Sequence, residues 1–445
     1  MLLRYSVSNF KSIGNNIEFS MLPSEDTSDD RFLIEIDTVV GKWKVLKRGA
    51  FFGPNASGKT SFIDSLSYAK DYITKGPKNA TVTKVNQFKG NISELDGVTS
   101  FQFLIYADNQ VYNYGFSLDR SYVHEEWLAI LNSSKQFDLL FERKTNQKLS
   151  TKITVFDAYA EPGSVERGLA DLLTKSIKGK QSDQLFLYKL YENASTYAGI
   201  VISWFKKLQI VYPNTKLQAL PIKIQKDEQF RDFLSEKLHS LDTGVDRVST
   251  TENVLDLSEF EEKFGIPSEV IHEIEEIQNG MISLNGKFYI FKEGIKRKIT
   301  LIQIKFEHSL NRKKVNFDID DESDGTQRLL DLLPILFRLD NNSHNIYIVD
   351  ELDRSLHTKL TKYLVNSIGD SSYNTQFLFT THDVNLLSLN NFRQDEIWFI
   401  EKNRNGETRL KPFSDFDIKN EDNILKDYLA GRFGAVPVIG FVNIT

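Results

Sequence analysis

The stretch GPNASGKT, from Gly53 to Thr60, constrains this chain more than any other. It fits the pattern G-x-x-x-x-G-K-[ST], and it lies between RGAFF, which predicts a strand, and SFIDSLSYA, which predicts a helix. Glycines let such a loop wrap a phosphate, and its backbone N–H groups attract negative charge. The alternative is a Gly/Ser turn before an amphipathic helix. We predict a phosphate-binding loop made of Gly53, Pro54, Asn55, Ala56, Ser57, Gly58, Lys59, Thr60 and Ser61.

Bulk composition limits what surrounds this loop. The chain has 445 residues, which favours two structural units, and its net charge of −6 argues against non-specific binding of nucleic acid by the whole molecule. It has no cysteine, which excludes disulfides, zinc–thiolate sites and thiol catalysis. No apolar run approaches the roughly 18 residues of a membrane span, and the N-terminus does not read as a signal peptide. We therefore expect a cytoplasmic protein without membrane contact.

The predicted secondary structure changes twice along the chain. Residues 98–130 alternate like a β meander, whereas residues 163–240 have helical periodicity. Residues 251–277 are acidic, and residues 287–314 are basic and alternate like a hairpin. From residue 321 helices and strands alternate again. The predicted domains are an N-terminal half-domain (1–150), a mainly helical insertion (151–314) and a C-terminal half-domain (315–445).

Two acids follow a second apolar strand. In NIYIVDELDRSLH, residues Ile346–Val349 predict a buried parallel strand, and Asp350 and Glu351 come directly after it. The carboxyl end of such a strand faces the ligand crevice of a parallel sheet. Beside a phosphate-binding loop we expect Asp350, together with Thr60, to hold Mg²⁺. We expect Glu351 to activate water and Lys59 to reach the β- and γ-phosphates. A surface pair that caps the next helix is the alternative.

Three further segments contain candidate site residues, and each indicates a function less strongly alone than together with the others. His382 follows the apolar run QFLFTT, where a sensor of the γ-phosphate would lie, although a lone histidine is more often structural. Ser323 and Gly325, in ESDGTQRLL, precede leucines at helical spacing, and by itself this segment predicts a capped helix. Gln87 is a candidate third ligand of Mg²⁺, and a solvated loop residue fits it equally well.

The order of these motifs resembles that of ABC-type ATPases. In that family a Ser-Gly signature cannot reach the phosphate-binding loop of its own chain and completes the site of a second subunit. The resemblance therefore implies that Ser323 and Gly325 contact ATP held by another protomer, and that LDRSLH is the loop between the two sites. The signature departs from the usual LSGGQ because Asp324 stands in its middle. The implied fold is α/β: a P-loop ABC-type ATPase head split by a largely helical insertion with a β hairpin.

Longer stretches resemble the OLD/RecF-like, phage-defence branch of that family. YSVSNFKSIG, VYNYGFSLDRSYVHEEWL and DYLAGRFGAVP are similar to the ATPase subunits of the PARIS system and, next, the Septu system. The resemblance covers roughly residues 1–130 and 315–440. It implies a switch or scaffold that uses ATP and Mg²⁺, works as a dimer or higher homo-oligomer in abortive infection, and controls a separate toxic nuclease. A Toprim nuclease is favoured, with a phage protein as trigger.

The alternative function is a DNA-repair or chromosome-type ATPase that clamps DNA. No HNH, PD-ExK or full Toprim pattern is present, so we expect any nuclease to be a partner. Six basic residues of the hairpin region could hold DNA phosphates or an acidic partner: Lys296, Arg297, Lys298, Arg312, Lys313 and Lys314. The alternative is a solvated strand face, which could pair with an acidic helix at 251–277. A transport ATPase does not fit the signature or the long insertion.

Overall fold

The computed structural model divides into two compact units. The first comprises Met1–Pro213, Asn341–Asp353 and Thr361–Thr445, and the second comprises Asn214–Asp340 and Arg354–Leu360. The residues that the structure describes are 1–24, 30, 32–76, 84–90, 97–177, 182–215, 220–264, 280–284, 287–291, 298–338, 345–369, 374–389, 391–416 and 424–436. These units begin and end at other residues than the predicted domains, and the domain division itself stays a prediction.

Strands and helices are distributed over both units. The strands are β1 (Leu2–Ser8), β2 (Ile17–Ser20), β3 (Leu33–Thr38), β4 (Gly41–Leu46), β5 (Arg48–Phe52), β6 (Thr99–Ala107), β7 (Gln110–Leu118), β8 (Val123–Leu131), β9 (Phe137–Thr145), β10 (Thr151–Val155), β11 (Leu208–Val211), β12 (Val245–Asp256), β13 (Gly280–Leu284), β14 (Lys287–Phe291), β15 (Lys298–Leu310), β16 (Lys313–Asp318), β17 (Ile346–Val349), β18 (Gln376–Thr381), β19 (Ile397–Lys402) and β20 (Thr408–Pro412). The helices are α1 (Lys59–Lys75), α2 (Val165–Thr174), α3 (Phe186–Glu192), α4 (Thr196–Lys207), α5 (Leu220–Lys226), α6 (Glu228–Ser240), α7 (Leu257–Phe264), α8 (Asp324–Arg338), α9 (Thr358–Gly369) and α10 (Ile424–Leu429). None of the helices in the described ranges is long and apolar enough to cross a membrane.

The core sheet of the first unit has the strand order β11-β17-β18-β5-β19-β20. All neighbours are parallel except β19 and β20. Every residue of β5, β17 and β18 is buried, as expected of strands covered on both faces. The predicted strands RGAFF, IYIV and QFLFTT are confirmed. Because parallel strands share one carboxyl edge, the segments that follow these three strands come together.

A second sheet of the first unit is antiparallel, with the order β10-β9-β8-β7-β6-β1-β2. Its β6, β7 and β8 are the predicted meander. Helix α1 contacts both sheets through Phe62, whose ring lies 4.9 Å from that of Phe51 on β5 and 5.7 Å from that of Tyr5 on β1. The helix that follows the phosphate-binding loop is thus anchored in an aromatic core. The predicted α/β fold class is confirmed.

The predicted helical region contributes to both units. Helices α2 to α6 confirm the helical periodicity of residues 163–240, but β11 lies within that region and pairs with β17 in the core sheet. Strand β11 has only four residues, Leu208–Val211, directly after α4, so no period-2 pattern marks it. Long-range pairing with β17 fixes it as a strand.

The second unit contains a mixed set of helices and a five-stranded antiparallel sheet. The predicted hairpin is confirmed as β14 and β15, and it is extended because β15 also pairs with β12 and β16. The expected acidic helix at 251–277 is wrong at its start, since residues 251–256 continue β12 opposite the basic strand β15. Pairing with a complementary strand outweighs local helix preference there. The predictions for Lys296, Arg297 and residues 265–277 concern positions outside the described residues.

Candidate functional site

The loop after β5 adopts the conformation that its glycines permit. Gly58 has φ +110°, and a Cβ there would meet Oγ1 of Thr408 at 1.9 Å. A Cβ on Gly53 would meet the carbonyl oxygen of Ile400 at 2.3 Å. The backbone of β19 and the side chain of Thr408, at the start of β20, therefore pack directly against the loop. Neither glycine can be replaced by a residue with a side chain unless the loop moves away from this edge of the sheet.

Lys59 is held at the centre of the loop. Its Nζ donates to the carbonyl oxygens of Gly53, at 2.7 Å, and Pro54, at 3.0 Å. It also lies 3.4 Å from Nδ1 of His382. Burial lowers the pKa of Lys59 to about 8, although Asp350, Asp353 and Glu351 oppose the shift. The loop thus presents an ammonium group that a bound phosphate would stabilise.

The two acids after β17 differ in their contacts. Oδ2 of Asp350 accepts from Oγ1 of Thr60, the second residue of α1, at 3.0 Å, and Oδ1 accepts from Oγ1 of Thr380 at 2.6 Å. Glu351 has a left-handed backbone, with φ +48°, and its N–H donates to Oγ1 of Thr380 at 2.8 Å. That turn directs its carboxylate to a cavity instead of into the sheet. Asp350 is thus hydrogen-bonded to Thr60, and Glu351 lines the cavity beside the loop.

His382 follows β18 and is fixed by its backbone. Its N–H lies 3.2 Å from both carboxylate oxygens of Asp353. Burial, followed by the charge of Lys59, lowers the pKa of His382. The lowered pKa favours the neutral ring; because the Lys59 ammonium can only donate, Nδ1 is then the acceptor and Nε2 carries the proton. A neutral imidazole with a free N–H suits contact with a phosphate oxygen.

These groups surround one cavity of about 480 Å³. Its lining residues are Ser12, Asn55, Ala56, Ser57, Gly58, Lys59, Thr60, Ser61, Glu351, His382 and Lys402. Most of the predicted site residues of the first unit thus line one cavity. Asp350 does not line it but accepts a hydrogen bond from Thr60, which does. Gln87 does not line this cavity, and its side-chain amide donates to the carbonyl of Gly97. Its role in metal binding stays a prediction.

Sequence reasoning missed four polar residues at this site. Ser12 and Lys402 line the cavity, Thr380 bonds both Asp350 and Glu351, and Asp353 fixes His382. Thr380 and Asp353 lie within the segments already singled out, QFLFTT and VDELD, so their proximity could have been inferred from the shared carboxyl edge of β17 and β18. No signal in the sequence connects Ser12 or Lys402 to the loop.

The Ser-Gly segment belongs to the second unit. Ser323 caps α8, because its Oγ accepts from the N–H of Thr326 at 3.2 Å, as the capped-helix alternative expected. A Cβ on Gly325 would meet the carbonyl oxygen of Ser355 at 2.9 Å, so this glycine lets the LDRSLH loop approach the helix N-terminus. A capped helix start with accessible N–H groups is also compatible with an anion-binding role.

Hydroxyl and carboxylate oxygens at the loop fit Mg²⁺. Thr60 and Asp350 supply two hard oxygen donors 3.0 Å apart, the kind of donor that Mg²⁺ prefers. No cluster of three or more His, Cys, Asp or Glu side chains suited to a metal occurs in the described part of the chain. The donor set therefore fits a metal held by one carboxylate, one hydroxyl and the phosphates of a nucleotide.

The shifted pKa of Lys59 predicts pH-dependent nucleotide affinity. A free site with a pKa of about 8 loses the ammonium charge as pH rises through that value, whereas bound phosphate retains it. We expect the Kd for ADP to rise roughly tenfold between pH 7 and pH 9. Calorimetric titrations across this range would measure it. Thr60→Ala should weaken binding yet keep the same pH dependence, and a flat profile up to pH 9 would contradict the prediction.

Comparisons with known proteins place the chain in a family. The model of a protein family described as "AAA domain, putative AbiEii toxin, Type IV TA system" matches residues 50–388. The curated protein "Retron Vc95 probable ATPase" of Vibrio cholerae serotype O1 biovar El Tor is 21% identical over 358 residues, which are 74% of this chain and 64% of that protein. The chain thus spans less than two thirds of that relative's length.

The solved structures that match this chain include two SMC heads. The SMC head domain from Thermotoga maritima is 13% identical with a TM-score of 0.37, and the match covers 94% of this chain and 99% of that one. The SmcHead bound to the C-winged helix domain of ScpA is 14% identical with a TM-score of 0.38, covering 92% and 97%. The family match alone extends over well more than half of the sequence, from β5 to the segment after His382. The chain therefore belongs to this AAA-domain family.

Proposed function

We propose that this chain binds ATP with Mg²⁺ and hydrolyses it, and that it acts as a switch. The observation that carries the proposal is the hydrogen bond between Thr60 and Asp350, which joins residues 290 positions apart at 3.0 Å. It closes the phosphate-binding loop against the end of β17. Glu351 and His382 line the same cavity as the loop.

Each residue has a separate task in this mechanism. Lys59 neutralises charge on the β- and γ-phosphates, and the loop N–H groups hold their oxygens. Glu351 accepts a proton from the attacking water, and Nε2–H of His382 donates to a γ-phosphate oxygen. When bound through Thr60 and Asp350, Mg²⁺ would neutralise phosphate charge as bonding changes. Catalysis then depends mainly on positioning and electrostatic stabilisation.

The proposed active form is a dimer with two ATP molecules between its subunits. Each site is completed by the partner subunit's Ser323 and the partner subunit's Gly325, whose hydroxyl and N–H would contact the γ-phosphate. The cap of α8 supports this, since the helix N-terminus carries partial positive charge. Hydrolysis would remove that contact and open the dimer, so ATP controls the population of the closed state.

We propose further that the switch serves anti-phage defence and restrains a separate toxic nuclease, with a Toprim nuclease as the favoured partner. The description of the family, which names a toxin of a toxin–antitoxin system, supports this, as does the name of the retron relative. The stretches similar to the PARIS and Septu ATPases agree with it. Among the basic residues proposed for DNA contact, Lys314 is already paired with Glu307, and Lys305 of the neighbouring strand β15 is paired with Asp318.

Co-purification tests the defence role. The chain would be expressed in bacteria with its neighbouring reading frames, as wild type and as Lys59→Ala, and the cells challenged with phage. We expect a nuclease in stoichiometric amount, and protection that Lys59→Ala abolishes. A chain that purifies alone, gives no protection and hydrolyses ATP faster with added DNA would overturn the defence role and support the DNA-clamping alternative.

A further inference from the structure

Glu322, the residue immediately before Ser323, is hydrogen-bonded to a histidine of the sheet in the second unit. Its Oε1 lies 2.6 Å from Nε2 of His308 on β15, and the two side chains are 4% and 11% exposed. An ionised carboxylate only accepts hydrogen bonds, so Nε2 of His308 carries the proton. A short, buried, charge-assisted hydrogen bond restricts both groups far more than a surface ion pair does.

The histidine is itself fixed. It lies on β15 between two paired strands, opposite Val245 of β12 and Val315 of β16. Its ring packs on Phe317, with centroids 4.6 Å apart. His308 therefore offers a donor at a fixed position on the central one of three strands, and Glu322 is the group that uses it.

Backbone contacts carry this restraint from Glu322 into the helix. The N–H of Glu322 donates to the carbonyl oxygen of Ile319 at 3.3 Å, and its own carbonyl oxygen accepts from Nε2 of Gln327 at 3.1 Å. Ser323, the next residue, then caps α8 by accepting from Thr326. The cap fixes Ser323 relative to α8, and the Glu322 side chain ties this start of the helix to the sheet through His308.

We propose that His308 and Glu322 are positioning residues that hold Ser323 and Gly325 in the orientation needed to close on ATP bound by a second chain. The inference rests on the proposed function, because it assumes that this segment completes a partner's site. Neither residue lines the nucleotide cavity of its own chain. Loss of the pair should thus weaken ATP-dependent association without changing nucleotide affinity of the single chain.

The test is sedimentation with and without Mg-ATP, in a Glu351→Gln background that slows hydrolysis. We expect His308→Ala and Glu322→Ala each to weaken the ATP-dependent dimer roughly 10- to 100-fold, as expected when a contact group is misplaced by about 1 Å. Glu322→Gln, which keeps an acceptor oxygen, should restore most of it. Nucleotide Kd, measured at protein concentrations that keep the chain monomeric, should stay within about twofold of the parent because the cavity is unchanged.

Glu307→Gln is the matched control. Glu307 precedes His308 on β15, and its partner Lys314 is largely exposed, so breaking this pair should leave the dimer unchanged. Thermal unfolding identifies any variant that fails to fold. If His308→Ala does not fold, Glu322→Ala alone carries the test. If both alanine variants kept the parent's ATP-dependent dimer affinity while Ser323→Arg failed to dimerise, this inference would be overturned and the proposed function would stand. A Ser323→Arg variant that still dimerises with ATP would overturn the proposed function instead.

Discussion

Glu351→Gln is expected to lower kcat for ATP at least 100-fold and to leave ATP binding intact. General bases contribute roughly 10²–10⁴-fold to such reactions, and glutamine cannot accept the proton. The substitution is nearly isosteric, and the backbone N–H of residue 351 would still donate to Thr380. Since Lys59, Thr60 and Asp350 are untouched, the affinity for ATP should remain. Steady-state phosphate release and equilibrium ATP binding, measured on the same preparation, check both parts.

Two comparisons make that result specific. Lys59→Ala should lose ATP binding as well as turnover, because it removes the charge that faces the phosphates. Glu142→Gln changes another glutamate, on β9, whose partner is the exposed Lys144, and should behave like wild type. If Glu351→Gln kept more than about a tenth of the wild-type kcat, its carboxylate could not be the base.

Motifs with a local physical cause were predictable from the sequence. The phosphate-binding loop requires glycines at Gly53 and Gly58, and buried strands require continuous apolar runs, so β5, β17 and β18 and the residues after them could be placed in advance. Their meeting at one edge followed from the rule for parallel sheets. Ser323 was predicted both as a cap and as a signature residue. The cap is observed in the structure, and the signature role stays a prediction.

Features that depend on distant partners were not predictable. Residues 251–256 are acidic and could as well be helical, and only pairing with β15 makes them a strand. Lys402 belongs to a strand whose pattern indicates no function, yet the parallel pairing of β19 with β5 brings its end to the loop. Ser12 reaches the site because its carbonyl accepts from the N–H of Thr408, almost 400 residues away. Such proximity is a property of the topology and leaves no local pattern.

A fully buried ion pair joins the first residue of β5 to the residue before β19. Nε and Nη2 of Arg48 donate to the two carboxylate oxygens of Glu396, at 3.0 and 2.8 Å, and both side chains are 0% exposed. Nη2 also donates to the carbonyl of Asn391 at 2.7 Å, and the guanidinium lies 3.8 Å from the ring centroid of Phe32. Arg48 begins the strand that leads into the phosphate-binding loop. The pair therefore fixes the base of that strand against β19.

Arg48→Met is expected to lower the free energy of unfolding by about 3–5 kcal/mol, because it leaves the Glu396 carboxylate buried without its partner. The double variant Arg48→Met/Glu396→Leu should recover much of this loss, since replacing both members of a buried pair by apolar residues is often close to neutral. Urea unfolding of wild type and the variants gives both values. Equal losses in the single and double variants would mean that packing of the guanidinium on Phe32, and not the unpaired charge, dominates. In that case the strand into the loop is held by its aromatic contacts, and Phe32→Leu should reproduce most of the effect.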